Sequence, residues 1–375
     1  MAAKMPSAAR PKTVVFVDDG RMSTFYQFAA RLRKLGTRVV RITTVNDAQS
    51  LMASKLVFDR SVTLPAQGVA EAIRSEFAKE NVVDVQFVET LKDIVSAGLP
   101  VLAPAVATMV QRRIQVMDKE YAGNMFAAAG VATPPRALFS EMDARTFAEH
   151  NGFPIVIKDR TGYGGIHVTI VETLDELDAM AGPYAGIETA YLEKYIEGDK
   201  VNFGAVLGFD GLLQGLCYKT LDWVRPVGPS SVVEVYEDAA LSAAGRRAVE
   251  AVGVPGLVNV NFMLDVDGGL WAIDLNARVF GGLAAYLACG IDLTSAYMSA
   301  LGMLPSVAAR VPSHPITLMV FPTSLSELVE RGQIGPLLKE FRKESTPYWK
   351  WLGPRYMLSE LLATFSALSN ARRRR

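Results

Sequence analysis

Residues 258–282 read V-N-V-N-F-M-L-D-V-D-G-G-L-W-A-I-D-L-N-A-R-V-F-G-G, and no other stretch restricts the fold as tightly. Val258, Val260 and Phe262 alternate with Asn259 and Asn261, the two-residue period of a strand with one apolar face. Asp267-Gly268-Gly269 supplies a tight turn, and residues 271–275 run back as the second strand of a hairpin. Asp274 and Asn276 then share a face, with Arg278 just beyond and Asn261 able to join them from the neighbouring strand. Hard oxygen donors beside a cation suit a Mg²⁺–polyphosphate site. A hairpin whose polar side simply faces water is the alternative these residues alone leave open.

Strands alternate with helices ahead of the hairpin. Extended runs are expected at 13–19, 38–43 and 82–88, and helices at 24–35, 68–79 and 90–97, with 100–103 closing the unit. Such alternation implies a small parallel sheet covered on both faces. The first turn holds Asp18, Asp19 and Gly20 without G-x-G-x-x-G, so the dinucleotide fingerprint is absent.

One helix is expected over 110–129, carrying Asp118-Lys119 and capped by Gly130, before Thr133-Pro134-Pro135 breaks the chain. F-P-I-V-I-K (153–158) reads as a strand, 159–165 as a glycine-rich loop and 166–171 as the returning strand. Thr173-x-x-Glu176 is a capping box. Residues 191–196 are extended, 197–199 turn and 202–207 continue the sheet; 219–231 form a polar loop, either mobile or substrate-facing. A helix over 239–252 leads into the hairpin.

At 375 residues the chain is long enough for two or three domains. An apolar content of 50% with 21% charged residues fits a globular protein and argues against extended disorder. Zero formal net charge gives no global field to recruit nucleic acid or membrane. Two cysteines, Cys217 and Cys289, allow no disulfide framework, and three histidines without an HxxxH pair argue against histidine-ligated zinc. The amino terminus lacks the apolar run of a secretory signal, and residues 279–309 fall short of a membrane span, so they read as buried helices and the location as cytoplasmic. Arg372–Arg375 reads as a solvated tail.

Lys158 precedes Thr161-Gly162-Tyr163-Gly164-Gly165. Glycines let a loop approach phosphates closely and offer backbone N–H groups with no Cβ in the way. Gly-Lys-Ser/Thr is missing, so this is no Walker loop, and an ordinary glycine-rich turn is the other reading. Arg225, in W-V-R-P-V-G, is a candidate for gripping a substrate carboxylate with both prongs, against an exposed loop arginine as the plain alternative.

The order of parts is more specific than any single one. A small α/β domain is followed by D-K and G-V-x-x-P-P, then F-P-I-V-I-K, T-G-Y-G-G, Y-L-E-K-Y-I-E-G, V-N-V-N-F and D-L-N-A-R. Over about residues 13–305 this resembles the ATP-grasp superfamily, and within it the carboxylate–amine ligases and the ATP-binding halves of carbamoyl-phosphate synthetase. The resemblance implies an α/β chain, α+β in the ATP-grasp part. Residues 1–110 would form the small parallel-sheet domain, 111–192 a lid subdomain with the flap, 193–308 the subdomain with the metal site, and 309–375 a helical extension with the basic tail.

It also implies roles for particular residues. Lys119 and Lys158 would contact the α- and β-phosphates of ATP, and Gly162, Tyr163, Gly164 and Gly165 would form the flap over them. Glu193, Lys194, Tyr195 and Ile196 would pair with adenine through backbone groups. Asn261, Asp274 and Asn276 would hold Mg²⁺ or Mn²⁺, while Arg278, with Lys158, would neutralise the transferring phosphate. Gly281 and Gly282 would present N–H groups to an anionic substrate. Two departures stand out: Asp274 replaces the usual Glu, and Lys200 stands where an acid often grips the ribose, so Asp199 is the candidate substitute and the ribose contact is left unassigned.

ATP brings about four negative charges, and a substrate carboxylate and Asp274 one each, against three positives from Lys119, Lys158 and Arg278; about minus three cannot stay in a closed site. At least one divalent ion is therefore required. The expected reaction is phosphoryl transfer to a small-molecule carboxylate, then attack by an amine on the acyl-phosphate. A bicarbonate-activating, carboxyphosphate-forming enzyme and a nucleotide-binding regulator that has lost catalysis are the other readings. No nucleic-acid partner is expected, and a homodimer is left open.

Overall fold

The first β-branched run forms β1 (Lys12–Asp18), one of the two inner strands of a parallel sheet ordered β3-β2-β1-β4. Its companions are β2 (Arg38–Thr43), β3 (Arg60–Thr63) and β4 (Asn81–Phe87). Helices α1 (Ser23–Lys34), α2 (Val69–Ala78) and α3 (Lys92–Gly98) complete this unit. Val14 to Val17 are wholly buried, as expected for an inner parallel strand covered on both faces. Asp18 and Arg41, each 0% exposed, close the strand ends with a two-pronged ion pair, both bonds 2.8 Å long. This computed structural model describes residues 10–19, 23–45, 54–139, 144–162, 168–184, 189–223, 230–305, 308–312, 314–319, 354 and 358. Met1–Gln111 with Leu352–Arg375 make up one unit and Arg112–Trp351 the other.

The unit boundary falls within α4 (Pro104–Val116), which is followed by a separate α5 (Lys119–Ala128). The single helix expected over 110–129 is thus two. Asp118 leaves helical geometry at ψ 118°, and its carboxylate accepts from the N–H groups of Glu120 and Tyr121 at 3.0 and 3.1 Å. That is an N-cap, which starts a new helix where propensity alone would continue the old one. Lys119 becomes the first residue of α5 instead of a mid-helix lysine.

The second unit holds two antiparallel sheets. The smaller is ordered β5-β8-β6-β7, from β5 (Arg136–Leu138), β6 (Ile155–Asp159), β7 (Val168–Val171) and β8 (Ala190–Lys194). Helices α6 (Ala144–Asn151) and α7 (Leu174–Tyr184) cover one face, burying Phe147, Ile155, Ile157, Leu177 and Leu192 together. The capping box holds with a shift: Thr173 Oγ1 accepts from the Glu176 N–H, and the Glu176 carboxylate reaches the N–H of Glu172, one residue further back than expected.

The larger sheet is ordered β13-β12-β9-β10-β11-β14. Its strands are β9 (Gly198–Gly208), β10 (Gly211–Trp223), β11 (Ser230–Tyr236), β12 (Gly256–Asp265), β13 (Leu270–Asn276) and β14 (Ile316–Met319). Helices α8 (Ala239–Val252), α9 (Leu283–Ala288) and α10 (Leu293–Ala300) complete the unit. The loop expected over 219–231 is largely strand. Lys219 pairs with Glu234 and Thr220 with Val233, so β10 and β11 run up to the undescribed residues 224–229. The turn expected at 197–199 also gives way, because β9 begins at Gly198. With φ at 150°, a Cβ there would lie 2.0 Å from the Leu264 carbonyl oxygen, so only glycine allows this approach of β9 to β12. Beyond residue 308, in the stretch expected as a helical extension, β14 pairs with β11.

Registers across this sheet separate its faces. Cys217, Phe203, Val260 and Leu275 line up across β10, β9, β12 and β13, and this row packs with Phe126 and Val249 in one buried cluster. Each such large side chain contributes about 1.5–3 kcal/mol by leaving water. One residue along, Tyr218, Asn202, Asn261 and Asp274 form the next row, on the opposite face.

Candidate active site

Both sheets of the second unit present a polar face. On the smaller one, alternation sends Ile155, Ile157 and Leu192 to the helices and leaves Lys158, Tyr191 and Glu193 on the other side. The Lys158 ammonium donates to the Glu193 carboxylate, and both side chains are buried, at 7% and 4% exposed. Burial pushes the Glu193 carboxyl above its ordinary pKa even against the Lys158 charge and hydrogen bond and the nearby Arg136, with Asp274 adding to the rise. Burial likewise lifts the Tyr191 phenol well above its usual value, reinforced by Glu193 and Asp274. Asp274, on the larger sheet, therefore acts on two groups of the smaller one.

Lys119 joins these surfaces at the tip of α5. Its Nζ lies 3.7 Å from Asp274 Oδ1 and donates to the Gly162 carbonyl, where the glycine-rich loop begins. Its backbone N–H donates to Arg160 O at 3.1 Å, and Arg160 is ion-paired with Asp118 at 2.7 Å and Glu120 at 2.9 Å. Asp159 shapes the loop by accepting from the Thr161 N–H at 2.9 Å and hydroxyl at 3.2 Å. Burial raises its pKa, but hydrogen bonds from Thr161 and Thr189 and the Lys119 charge leave it below the ordinary carboxylate value.

On the larger sheet Asn261 and Asp274 are direct cross-strand partners, and Asn259 faces Asn276 in the next row. A hydrogen-bonded chain orders the amides. Tyr218 Oη donates to Asn259 Oδ1 at 3.0 Å, and Asn259 Nδ2 donates to Asn261 Oδ1 at 2.6 Å. Asn276 Nδ2 sits 3.4 Å from Asp274 Oδ2. Lys200, two residues before Asn202 on β9, shares this face; burial, with Lys158, holds its pKa below the ordinary value against the opposing charge of Asp274. Arg278 follows β13, 5% exposed, with its Nη1 donating to Val279 O at 2.9 Å.

Lys119, Lys158, Glu193, Gly162, Asn261, Asp274 and Asn276 are thus linked by contacts, register or electrostatics. Asp199 stands apart, exposed and ion-paired with Lys219 at 2.6 Å. Lys194 and Tyr195 spend their N–H groups on Pro135 O at 2.9 Å and Pro154 O at 3.3 Å, which removes two of the backbone donors expected for adenine. Ile196 is half-buried just after β8. Gly281 borders open space, whereas a Cβ on Gly282 would lie 2.7 Å from Tyr218 Cζ, so packing explains that glycine. The helix that follows has only six residues. Tyr163, Gly164, Gly165 and Arg225 lie outside the described residues.

The sequence reading passed over Tyr191, Asn202, Tyr218 and Asn259, and took Lys200 only as a departure. The two-residue period already placed Asn259 beside Asn261; the others depend on strand order. Asp274 with the amide oxygens of Asn261 and Asn276 is a partial oxygen set, suited to a Mg²⁺ that keeps phosphate and water ligands. Among the described residues no three His, Cys, Asp or Glu cluster to hold a metal by themselves. No helix among them is long and apolar enough to cross a membrane.

Residues 116–282, the span holding both polar faces, match a family model described as the ATP-grasp domain. A carbamoyl-phosphate synthase of Methanobrevibacter smithii is 26% identical over 202 residues, 50% of this chain and 53% of that one. A D-alanine–D-alanine ligase of Stutzerimonas stutzeri is 28% identical over 198 residues, 48% of this chain and 60% of its own. The matches thus take in little more than half the length of these relatives. Among solved structures, N5-carboxyaminoimidazole synthetase from Staphylococcus aureus, complexed with ADP, shares the fold at a TM-score of 0.69 and 15% identity, covering 86% of each chain.

Proposed function

We propose that this chain, whose residues 116–282 form an ATP-grasp domain, is an ATP-dependent ligase that activates a carboxylate as its acyl-phosphate and couples it to an amine. The observation that carries the reading is the meeting of Lys119 with Asp274 at 3.7 Å beside the buried Lys158–Glu193 pair. Cations and a metal-competent carboxylate there line the path a polyphosphate needs.

Lys119 and Lys158 bind and orient the phosphates, Lys158 exchanging its bond to Glu193 for one to phosphate oxygen. Asp274, Asn261 and Asn276 hold Mg²⁺, which supplies charge neutralisation on the phosphates when bound. A carboxylate oxygen attacks the γ-phosphorus as the bond to the ADP oxygen breaks, so the acid becomes a mixed anhydride. The amine nitrogen then forms the C–N bond, phosphate leaves with the C–O electron pair, and the ammonium proton passes to solvent. Arg278 meets the charge that develops on the transferring group and on the tetrahedral oxyanion. The Gly162 end of the loop, held by Lys119, shields the anhydride from water.

The test is ADP release by the purified chain with Mg²⁺ across a matrix of amino-acid carboxylates and amines. Release that requires both an acid and an amine is expected. Release stimulated by bicarbonate instead supports the carboxyphosphate-forming alternative, which the likeness to a carbamoyl-phosphate synthase keeps in the trial. Calorimetry that detects no magnesium-dependent uptake of ATP overturns both.

A further inference from the structure

The two rows of the larger sheet that hold the metal-competent amides carry one carboxylate for a divalent ion, and ammonium groups lie close to it. Across β10, β9, β12 and β13 the row is Tyr218, Asn202, Asn261 and Asp274; the next is Leu216, Gly204, Asn259 and Asn276. Asp274 is the one carboxylate in either row, and the amides are neutral. Lys119 Nζ already stands 3.7 Å from Asp274 Oδ1. On the other side of the Asn202 row, Lys200 pairs in register with Met263, two residues past Asn261, so its side chain rises from the same face.

Paired divalent ions sit about 3.5–4 Å apart and need shared anionic ligands. Here the larger sheet would give them one carboxylate beside two ammonium groups, Glu193 of the smaller sheet being buried and ion-paired with Lys158, and Coulomb repulsion disfavours that crowding. An ammonium supplies positive charge without a ligand set. Resting on the ligase reading above, we infer that the site takes one divalent cation with its nucleotide, and that Lys200 stands in for a second beside Asp274. Burial holds Lys200 below its ordinary pKa, with Lys158 adding to the fall, while Asp274 opposes it. A polyphosphate bound nearby acts with Asp274 to favour the charged form against that burial.

The experiment counts Mn²⁺ by paramagnetic resonance of the free ion, titrated into the full chain with saturating β,γ-imido-ATP. One bound Mn²⁺ per chain is expected for the wild type. Lys200→Glu, which puts a second carboxylate on the face, is expected to bind two. Lys200→Met is expected to keep one Mn²⁺ and weaken the nucleotide about tenfold, the loss of one charge-assisted contact. Two Mn²⁺ in the wild type overturn the inference and leave the ligase reading standing, as does unchanged nucleotide affinity in Lys200→Met. A folded Lys200→Glu that still binds one also overturns it. Absence of any Mn²⁺-dependent nucleotide binding in the wild type fells the ligase reading itself.

Discussion

Lys119 Nζ stands 3.7 Å from Asp274 Oδ1, so the first residue of α5 faces a carboxylate on β13. The contact exists because Asp118 caps α5 and turns the next residue inward. Asp274→Asn keeps the shape and removes the charge. It is expected to cut magnesium-dependent nucleotide affinity by at least about tenfold, one strong charge-assisted contact. Stability should fall by no more than about 1 kcal/mol, because the Asp274 side chain is 28% exposed and the separation is long. Calorimetry with MgADP beside a thermal melt checks both. A large melt shift with unchanged affinity would make the pair structural.

Lys158 has two duties that pull apart under mutation. Its buried bond to Glu193 means that Lys158→Ala strands a carboxylate in a dry site, at a cost of about 3–5 kcal/mol. Loss of ADP release in that variant alone therefore proves little. Adding Glu193→Gln removes the stranded charge, so the double variant is expected to recover most of the stability and none of the turnover. Urea unfolding and coupled ADP release on the four members of this cycle separate the roles. Recovery of turnover in the double variant would remove Lys158 from the chemistry.

Local signals were legible and long-range ones were not. β2 spans the expected 38–43, and α8 spans 239–252 between the Asp238 cap and left-handed Gly253. The break at Asp118 was hidden because 110–129 has continuous helix propensity, and only the acidic cap spoke against it. Lys219 to Trp223 looked like a loop because half of it is polar, yet pairing with β11 makes it strand. Asp274 and Asn261 could be paired on paper because they sit in one hairpin. The row that joins them to Asn202 and Tyr218 needs β9 to lie between β12 and β10, which no local pattern encodes. Glu193 as the partner of Lys158 needs β6 beside β8 for the same reason.

Gly282 and Tyr218 make a joint prediction. A Cβ on Gly282 meets Tyr218 Cζ at 2.7 Å, and the Tyr218 hydroxyl anchors Asn259, which in turn holds Asn261. Gly282→Ala is expected to cost about 1–3 kcal/mol by overpacking and to weaken Mn²⁺ binding by displacing the ring. Tyr218→Phe keeps the ring and drops the hydrogen bond, so it is expected to cost about 1–2 kcal/mol and to weaken Mn²⁺ binding with the metal-free nucleotide affinity unchanged. Resonance titration of Mn²⁺ on both variants decides. Unaltered metal affinity in Tyr218→Phe would mean that the amide chain supports the fold alone.

Glu80 governs acid sensitivity in the first unit. Its carboxylate takes hydrogen bonds from Arg38 Nε at 2.8 Å and Arg60 Nη2 at 3.0 Å, tying β2 and β3 to the turn after α2. Burial raises its pKa, but the Arg38 hydrogen bond and the charges of Arg38 and Arg60 outweigh it and hold it below the ordinary 4.5. The folded carboxylate therefore binds its proton less readily than the unfolded one. Its stabilisation is full above pH 4.5 and drains away as pH falls through the depressed value, because the unfolded chain takes up the proton first. Glu76, also depressed by Lys79 and Arg60 against burial, adds to the same acid limb. In Glu80→Gln the pH dependence should flatten across this window and the protection of β2 and β3 amides at pH 7 should fall. Hydrogen exchange of peptides from those strands, corrected for intrinsic rates, measures it; an acid limb as steep as the wild type's would assign the sensitivity to other carboxylates.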